Sequence, residues 1–495
     1  MRRPSLVQAS PTFRLDYAAL RAAAIGLAVI LIVIAPFARD PMAFAAGAIV
    51  PFILISIIGS TWTPAALVYL LLWQWLQTFA RVVQSLVDGE SIYSSLYGPT
   101  VGRAYWYMLA SVIVLALGYR TMIRKARLPT AAERTAHLEW RPVDLFVLYL
   151  AAVVVSIGAG YVDLAVPALD QQLEMVERIT ILAVVLLFTN VLATGQGRMF
   201  LLAAVLFEVV KGFSGILGDF RGVFVFLAIS AIAARIRLSP VMVIALLIWM
   251  VVLAVLGTFW TAIKVDYRHA ITGTMEGAQQ IRASLGDRLG YLGNRATDTS
   301  NIDWEFASYA LLSRLAYVDI FGSVIGVQEV TPEPIAMRQW NEALEHVLKP
   351  RFLFPGKAAL SDTEVYVRLA LGNVSDEVRY GTSISVGYMG ENFADLGFPG
   401  MLAGIFVLGL LGGAVCRYFM AIRLPLMVRE ALAMTFVYAI CHDGVEISLP
   451  KLLGSTLMFF LVYAPTVHFL FPIVLRWLNE RSAFPHGPAL AARRR

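Results

Sequence analysis

A chain of 495 residues that is 59% hydrophobic and only 15% charged, with a mean hydropathy of +0.71, lies far outside the range of soluble domains, which are about 45–50% apolar and about 25% charged. This composition identifies a polytopic membrane protein. It excludes a disulfide-built module, since the two cysteines, Cys416 and Cys441, fall in or beside apolar runs, and the net charge of +6 reads as loop charge that orients a membrane chain rather than as a nucleic-acid surface.

Crossing about 30 Å of hydrocarbon takes about 20 mostly apolar residues, and only a hydrogen-bonded helix satisfies its own backbone there. Twelve stretches qualify, at approximately 18–37, 43–60, 63–84, 104–122, 143–163, 179–196, 199–217, 221–236, 240–262, 398–420, 427–446 and 453–476. The first reads as a retained span, because no small-residue cleavage site follows it. Placing the N-terminus in the cytoplasm gathers Arg2, Arg3, Arg14, the cluster from Arg120 to Arg141, Arg235, Arg237, Arg417, Arg423, Arg429 and the C-terminal arginines on one side. The positive-inside rule therefore predicts cytoplasmic termini and puts the long loop between spans 9 and 10 outside, in a bacterial periplasm. The nine spans before that loop and the three after it do not form matching halves, which weakens a transporter reading.

Polar residues inside spans are costly and so informative. Glu208 with Lys211 and Asp219 with Arg221 read as local ion pairs at span ends. His442, Asp443 and Glu446 sit near the outer end of span 11, as a polar helix terminus or a cavity lining, and His468 reads as packing.

The loop, Ile263 to Gly397, carries 17 acidic and 12 basic residues, so it holds 29 of the 74 charges and nets about −5. Its first part is rich in arginine, including Arg282, Arg288 and Arg295. From Asp303 to Ile320 a nearly apolar pattern with Phe306, Ala310, Ser313 and Tyr317 on one face predicts an interfacial helix, with Arg314 and Asp319 as the polar exceptions. After Pro332 to Pro334, the recurrence of Met337, Trp340, Leu344 and Val347 predicts a second helix that ends at Lys349-Pro350. Arg351, Arg368, Asp376 and Arg379 follow, and a glycine-rich close leads into span 10. Arginine's planar fork suits phosphate oxygens and never loses its charge, so the arginines point to an anionic, lipid-linked ligand. No HxxxH, HExxH or DxD pattern is present, so no metal and no cofactor is assigned.

The run Arg379-Tyr380-Gly381-Thr382-Ser383 to Gly390-Glu391-Asn392-Phe393-Ala394-Asp395-Leu396-Gly397-Phe398-Pro399-Gly400, with Pro350-Arg351 and Phe354-Pro355-Gly356-Lys357 before it and the architecture around it, resembles bacterial O-antigen and exopolysaccharide repeat-unit polymerases. Arg379 to Gly390 and Arg282 to Gly293 also fit the arginine and glycine, ten residues between them, by which these enzymes are described. The resemblance implies an all-α, GT-C-like integral membrane protein of about 12 helices with one large, partly helical periplasmic loop. It implies joining of undecaprenyl-pyrophosphate-linked oligosaccharides at the periplasmic face of the inner membrane, with a chain-length regulator and a flippase of the same pathway as partners. Such chemistry needs cations for the leaving diphosphate, for which Arg288, Arg295, Arg351 and Arg379 come first and Arg314 and Arg368 behind them. It also needs a base for the acceptor hydroxyl, for which Glu391, Asp376 and His442 compete, with Glu391 preferred. An O-antigen ligase, a transporter of lipid-linked oligosaccharide and a non-catalytic scaffold are the other readings.

Overall fold

Long apolar runs fold as helices in a membrane because each backbone N–H must find its carbonyl within the same segment. The structure, a computed structural model, describes residues 13–482 apart from 61, 95–97, 215–220, 273–282, 301, 333–335, 350–352, 355, 358–360 and 373–383. The chain opens with α1 (Tyr17–Ile34), α2 (Pro41–Ile58), α3 (Ala66–Asp88) and α4 (Thr100–Ile123). A short α5 (Ala131–Thr135) precedes α6 (Pro142–Ala165), α7 (Asp170–Glu177), α8 (Ile179–Thr194), α9 (Arg198–Ser214) and α10 (Gly222–Ala233). Two-residue strands β1 (Phe13–Arg14) and β2 (Arg237–Leu238) pair antiparallel just before α11 (Pro240–Thr272). The shorter helices α12 (Leu285–Thr297), α13 (Trp304–Leu315), α14 (Val318–Val330), α15 (Arg338–Leu348) and α16 (Asp362–Ala370) follow. The chain closes with α17 (Gly387–Ala421), α18 (Leu426–Cys441), α19 (Leu449–Phe469) and α20 (Phe471–Ser482).

This is an all-α polytopic membrane protein. Among the described residues nine helices are long and apolar enough to cross a bilayer, or ten if α13 and α14, which meet at 57°, count as one broken span. Among the described residues each of the twelve expected stretches contains a helix, but α9, α10 and α18 have only 17, 12 and 16 residues. Charges sit in two of these three, Glu208 and Lys211 in α9 and Arg429 and Glu430 in α18.

Two boundaries differ from the sequence reading. Nothing between Ile263 and Thr272 breaks a helix, so α11 runs ten residues past the expected end of span 9. Helix α17 begins at Gly387 rather than at 398 and absorbs the polar run from Glu391 to Asp395, with a non-helical break only at Gly397 and Phe398. The expected interfacial helix is likewise broken between Leu315 and Val318, which buries Tyr317 while Phe306 stays exposed. In α15, Trp340 is buried as expected, but its companions are Gln339 and Ala343 rather than Met337 and Leu344.

Glycines let α4 and α17 cross with their backbones in contact, the small-residue packing common between membrane helices. A Cβ on Gly409 would lie 2.6 Å from the Leu115 carbonyl oxygen, and one on Gly118 would lie 2.7 Å from that of Phe406. One end of the bundle is knitted by basic residues. Arg429, buried, donates to the carbonyls of Leu424 (3.0 Å) and Met420 (2.9 Å) and pairs with Glu133 at 2.9 Å, while Trp62 lies under both Arg134 and Arg235. The site described next lies at the opposite end, beyond Cys441.

Candidate functional site

Helix α3 is largely apolar, yet Gln74, Gln77, Thr78, Arg81, Gln84 and Ser85 recur three and four residues apart and all are buried. That spacing aligns them in one stripe. A buried polar group left without a partner costs about 1–3 kcal/mol, so each has to be answered by a neighbour. The Tyr388 hydroxyl of α17 donates to Gln74 Oε1 at 2.5 Å. Arg81 Nε donates to Asp319 Oδ1 of α14 at 2.8 Å, and Gln84 Nε2 to the Ser313 hydroxyl of α13 at 3.1 Å. The stripe is thus the seat on which the broken helix α13–α14 docks.

Gln77 holds the turn after α18 from both sides. Its Oε1 accepts the Val445 N–H at 2.8 Å, and its Nε2 donates to the Asp443 carbonyl at 3.1 Å and to Glu446 Oε1 at 3.2 Å. Gly444 turns between them at φ +68°, and a Cβ there would lie 1.8 Å from Gln77 Oε1, so backbone and space both require glycine. Ile447 then accepts the Tyr388 N–H at 2.7 Å, which pins the turn to the start of α17.

Glu446, half-buried, lies in the field of Asp443, Arg221, Arg314 and Lys264. Lys264 also faces Arg268, and Arg268 faces Arg314. Arg221 precedes α10, Lys264 and Arg268 are one turn apart on α11, and Arg314 closes α13. Three cations from three separate stretches therefore act on one carboxylate, with Arg268 beside two of them. Like charges brought together in this way repel one another. An anion placed among them relieves that repulsion. Burial first, then Asp443, pushes the Glu446 carboxyl up to about 7, while Arg221, Arg314 and Lys264 pull it the other way.

Of the residues expected from the sequence, Arg314 is the one that joins this cluster. His442, exposed, stands beside it with Nε2 3.1 Å from Asp443 Oδ2. Glu391 is built into the fold: only 2% exposed, it accepts the Leu449 N–H at 2.6 Å and so caps the start of α19. Its neighbour Asp395 does the same for α15, accepting the N–H groups of Gln339 (2.9 Å) and Trp340 (2.8 Å), and Asn392 Oδ1 takes the Trp340 indole N–H at 3.0 Å. Glu391, Asn392 and Asp395, within the run that carries the resemblance, therefore form a structural clasp. Arg368 belongs to that clasp, donating to Gln339 Oε1 at 3.1 Å. Arg288 and Arg295 lie on α12, where Arg288 Nε donates to the Ser284 carbonyl at 3.4 Å. Arg295 bonds Asp266 at 3.0 Å and borders an open groove of about 450 Å³ with Tyr291, Asn294, Thr297 and Asp298. Arg351, Asp376 and Arg379 lie outside the described residues, and so does Asp219. Among the described residues no three His, Cys, Asp or Glu side chains are placed to hold a metal ion.

One family profile, described as a domain of unknown function (DUF8712), matches residues 104–421, more than half of the chain. The chain belongs to that family. No curated protein and no solved structure matches it significantly. The DUF8712 region runs from α4 to the last residue of α17 and holds Arg221, Lys264, Arg268 and Arg314, whereas the α3 stripe and Glu446 lie on either side of it.

Sequence reasoning names Arg314 and the His442, Asp443 and Glu446 group separately but does not bring them together or include the α3 stripe. The α3 stripe did leave a signal, polar residues at helical spacing in a span that is otherwise apolar. Lys264 and Arg268 were assigned to the loop but ride on the extended end of a membrane helix. Arg221 was read as one half of a local ion pair.

Proposed function

We propose that the protein is a lipid-linked oligosaccharide polymerase, a metal-independent glycosyltransferase that joins undecaprenyl-pyrophosphate-linked repeat units into O-antigen or exopolysaccharide. In this reading the chain is a twelve-span protein of the bacterial inner membrane with both termini in the cytoplasm. The Lys264 end of α11 and the turn after α18 then face the periplasm.

The observation that carries the reading is the gathering of Arg221, Lys264, Arg268 and Arg314 at one end of the bundle, beside a half-buried carboxylate. A diphosphate presents two adjacent anionic groups at the depth of the lipid head groups. At about 4 Å and an effective dielectric of about 20, each cation–phosphate contact contributes roughly 4 kcal/mol before desolvation is subtracted. When the sugar leaves its diphosphate, negative charge grows on the bridging oxygen, and preorganised cations stabilise that charge more than the ground state. The polar stripe on α3 supports the site from behind: it seats the broken helix that carries Arg314 and holds the turn that carries Glu446.

Gel analysis of surface polysaccharide from cells with and without the protein tests the proposal. Loss of the protein is expected to collapse the ladder to single-repeat material. A normal ladder in its absence refutes the function.

A further inference from the structure

We infer that Glu446 is the catalytic residue that takes the proton from the acceptor sugar's hydroxyl, and that Gln77 is the positioning residue that aims its carboxylate. The inference rests on the polymerase reading and adds to it the group that activates the nucleophile. A general base has to be held by rigid elements, close to the leaving group, and not consumed by a structural bond. Glu391 is consumed, because its carboxylate caps α19. His442 is exposed and turned to Asp443. Glu446 meets all three conditions.

It sits on a turn whose backbone is fixed by Gln77 at Val445 and Asp443 and by Tyr388 at Ile447. Among the described residues the Gln77 amide donates to Oε1, at 3.2 Å, a bond that orients the carboxylate without neutralising it. The charged and titratable groups around it come from each packed element. The turn supplies His442 and Asp443, the start of α10 Arg221, α11 Lys264, and the broken helix Arg314 and Tyr317, while Arg268 faces Lys264 and Arg314, and Arg81 on α3 is paired with Asp319. The cations that would hold the diphosphate thus face the carboxylate that would take the proton.

In the step, the acceptor hydroxyl oxygen bonds to the anomeric carbon of the donor sugar. The bond from that carbon to the diphosphate oxygen breaks, with its electron pair leaving on the diphosphate. The hydroxyl proton passes to Glu446 and from there to water. Because burial and Asp443 raise the carboxyl to about 7, the basic form is present above that pH and is lost as the pH falls through it. Activity therefore carries an acid limb with a midpoint near 7.

The test uses full-length protein in proteoliposomes, supplied with undecaprenyl-pyrophosphate-linked material extracted from cells that lack the protein. Polymer is read on gels across pH. Glu446→Gln is expected to lower turnover at least about 100-fold, the usual contribution of a general base, while still binding inorganic pyrophosphate, which shows the cation cluster intact. Glu446→Asp is expected to keep part of the activity. Gln77→Glu places a second carboxylate beside the first and is expected to move the acid limb to higher pH, which identifies Glu446 as the group behind the limb, and Gln77→Met, which removes the amide, is expected to lower kcat with KM unchanged. Turnover of Glu446→Gln within a few-fold of the parent overturns the inference, as does an unmoved acid limb in Gln77→Glu, and either result leaves the polymerase reading standing. Absence of polymer from the unaltered protein takes down the polymerase reading itself and this inference with it.

Discussion

Glu391 separates a capping role from a chemical one, because its two substitutions diverge. Its carboxylate is 2% exposed and accepts the Leu449 N–H at 2.6 Å, at the first residue of α19. In Glu391→Gln the amide oxygen still accepts that bond, so the loss is limited to the charge assistance, about 1 kcal/mol or less. In Glu391→Ala the N–H is left without a partner, at about 1–3 kcal/mol. The space vacated, roughly 50 Å³, adds about 1 kcal/mol at the usual cost per unit of cavity volume. The alanine variant is therefore expected to be destabilised by about 2–4 kcal/mol and the glutamine variant hardly at all. Thermal unfolding in detergent, followed by size-exclusion chromatography, measures the first quantity, and the polymer ladder in cells measures the second. Glu391→Gln should keep both. Loss of the ladder in Glu391→Gln with unchanged unfolding would refute the capping role and return this residue to the chemistry.

Gly409→Ala puts a methyl carbon 2.6 Å from the Leu115 carbonyl oxygen, where backbone faces backbone and little can yield; overpacking of this kind costs about 1–3 kcal/mol, visible as a lowered unfolding temperature. Arg429→Met removes the partner of three groups at the basic end. Breaking a buried pair costs about 3–5 kcal/mol, and since Glu133 keeps Arg127 the lower end applies, with turnover per folded molecule unchanged in a proteoliposome assay. Lys264→Ala combined with Arg314→Ala should weaken binding of inorganic pyrophosphate at least about 10-fold and flatten its dependence on salt, as measured by calorimetry; unchanged affinity would remove the cation cluster from the function.

The helices were legible because a bilayer imposes one rule on every span, and hydropathy reads that rule directly. Their ends were less so: no glycine or proline marks position 262, so α11 runs on into the loop, while Gly397 and Pro399 do mark 398 but only break a helix that starts eleven residues earlier at Gly387, so both helices took in residues that composition assigned to the loop. The site was legible only in part. Gln74, Gln77, Arg81 and Gln84 announce a polar stripe by spacing alone, but that Arg314 would meet Lys264 rather than loop carboxylates depends on how α13 lies against α11, which no local pattern encodes. The run from Glu391 to Asp395 has a structural role that the sequence did not reveal. Acids beside a membrane attract a catalytic reading, and here they satisfy the first N–H groups of helices from elsewhere in the chain.

That clasp also sets an order of assembly. Asp395 closes on α15, made 55 or 56 residues earlier, but Glu391 waits for Leu449, which leaves the ribosome 58 residues later. Until α19 is delivered to the membrane, the first half of α17 holds an acid with no donor to bind. A nascent chain halted between α18 and α19 therefore lacks the N–H that the Glu391 carboxylate accepts in the finished fold, and the clasp is complete only when the last long helix is in place.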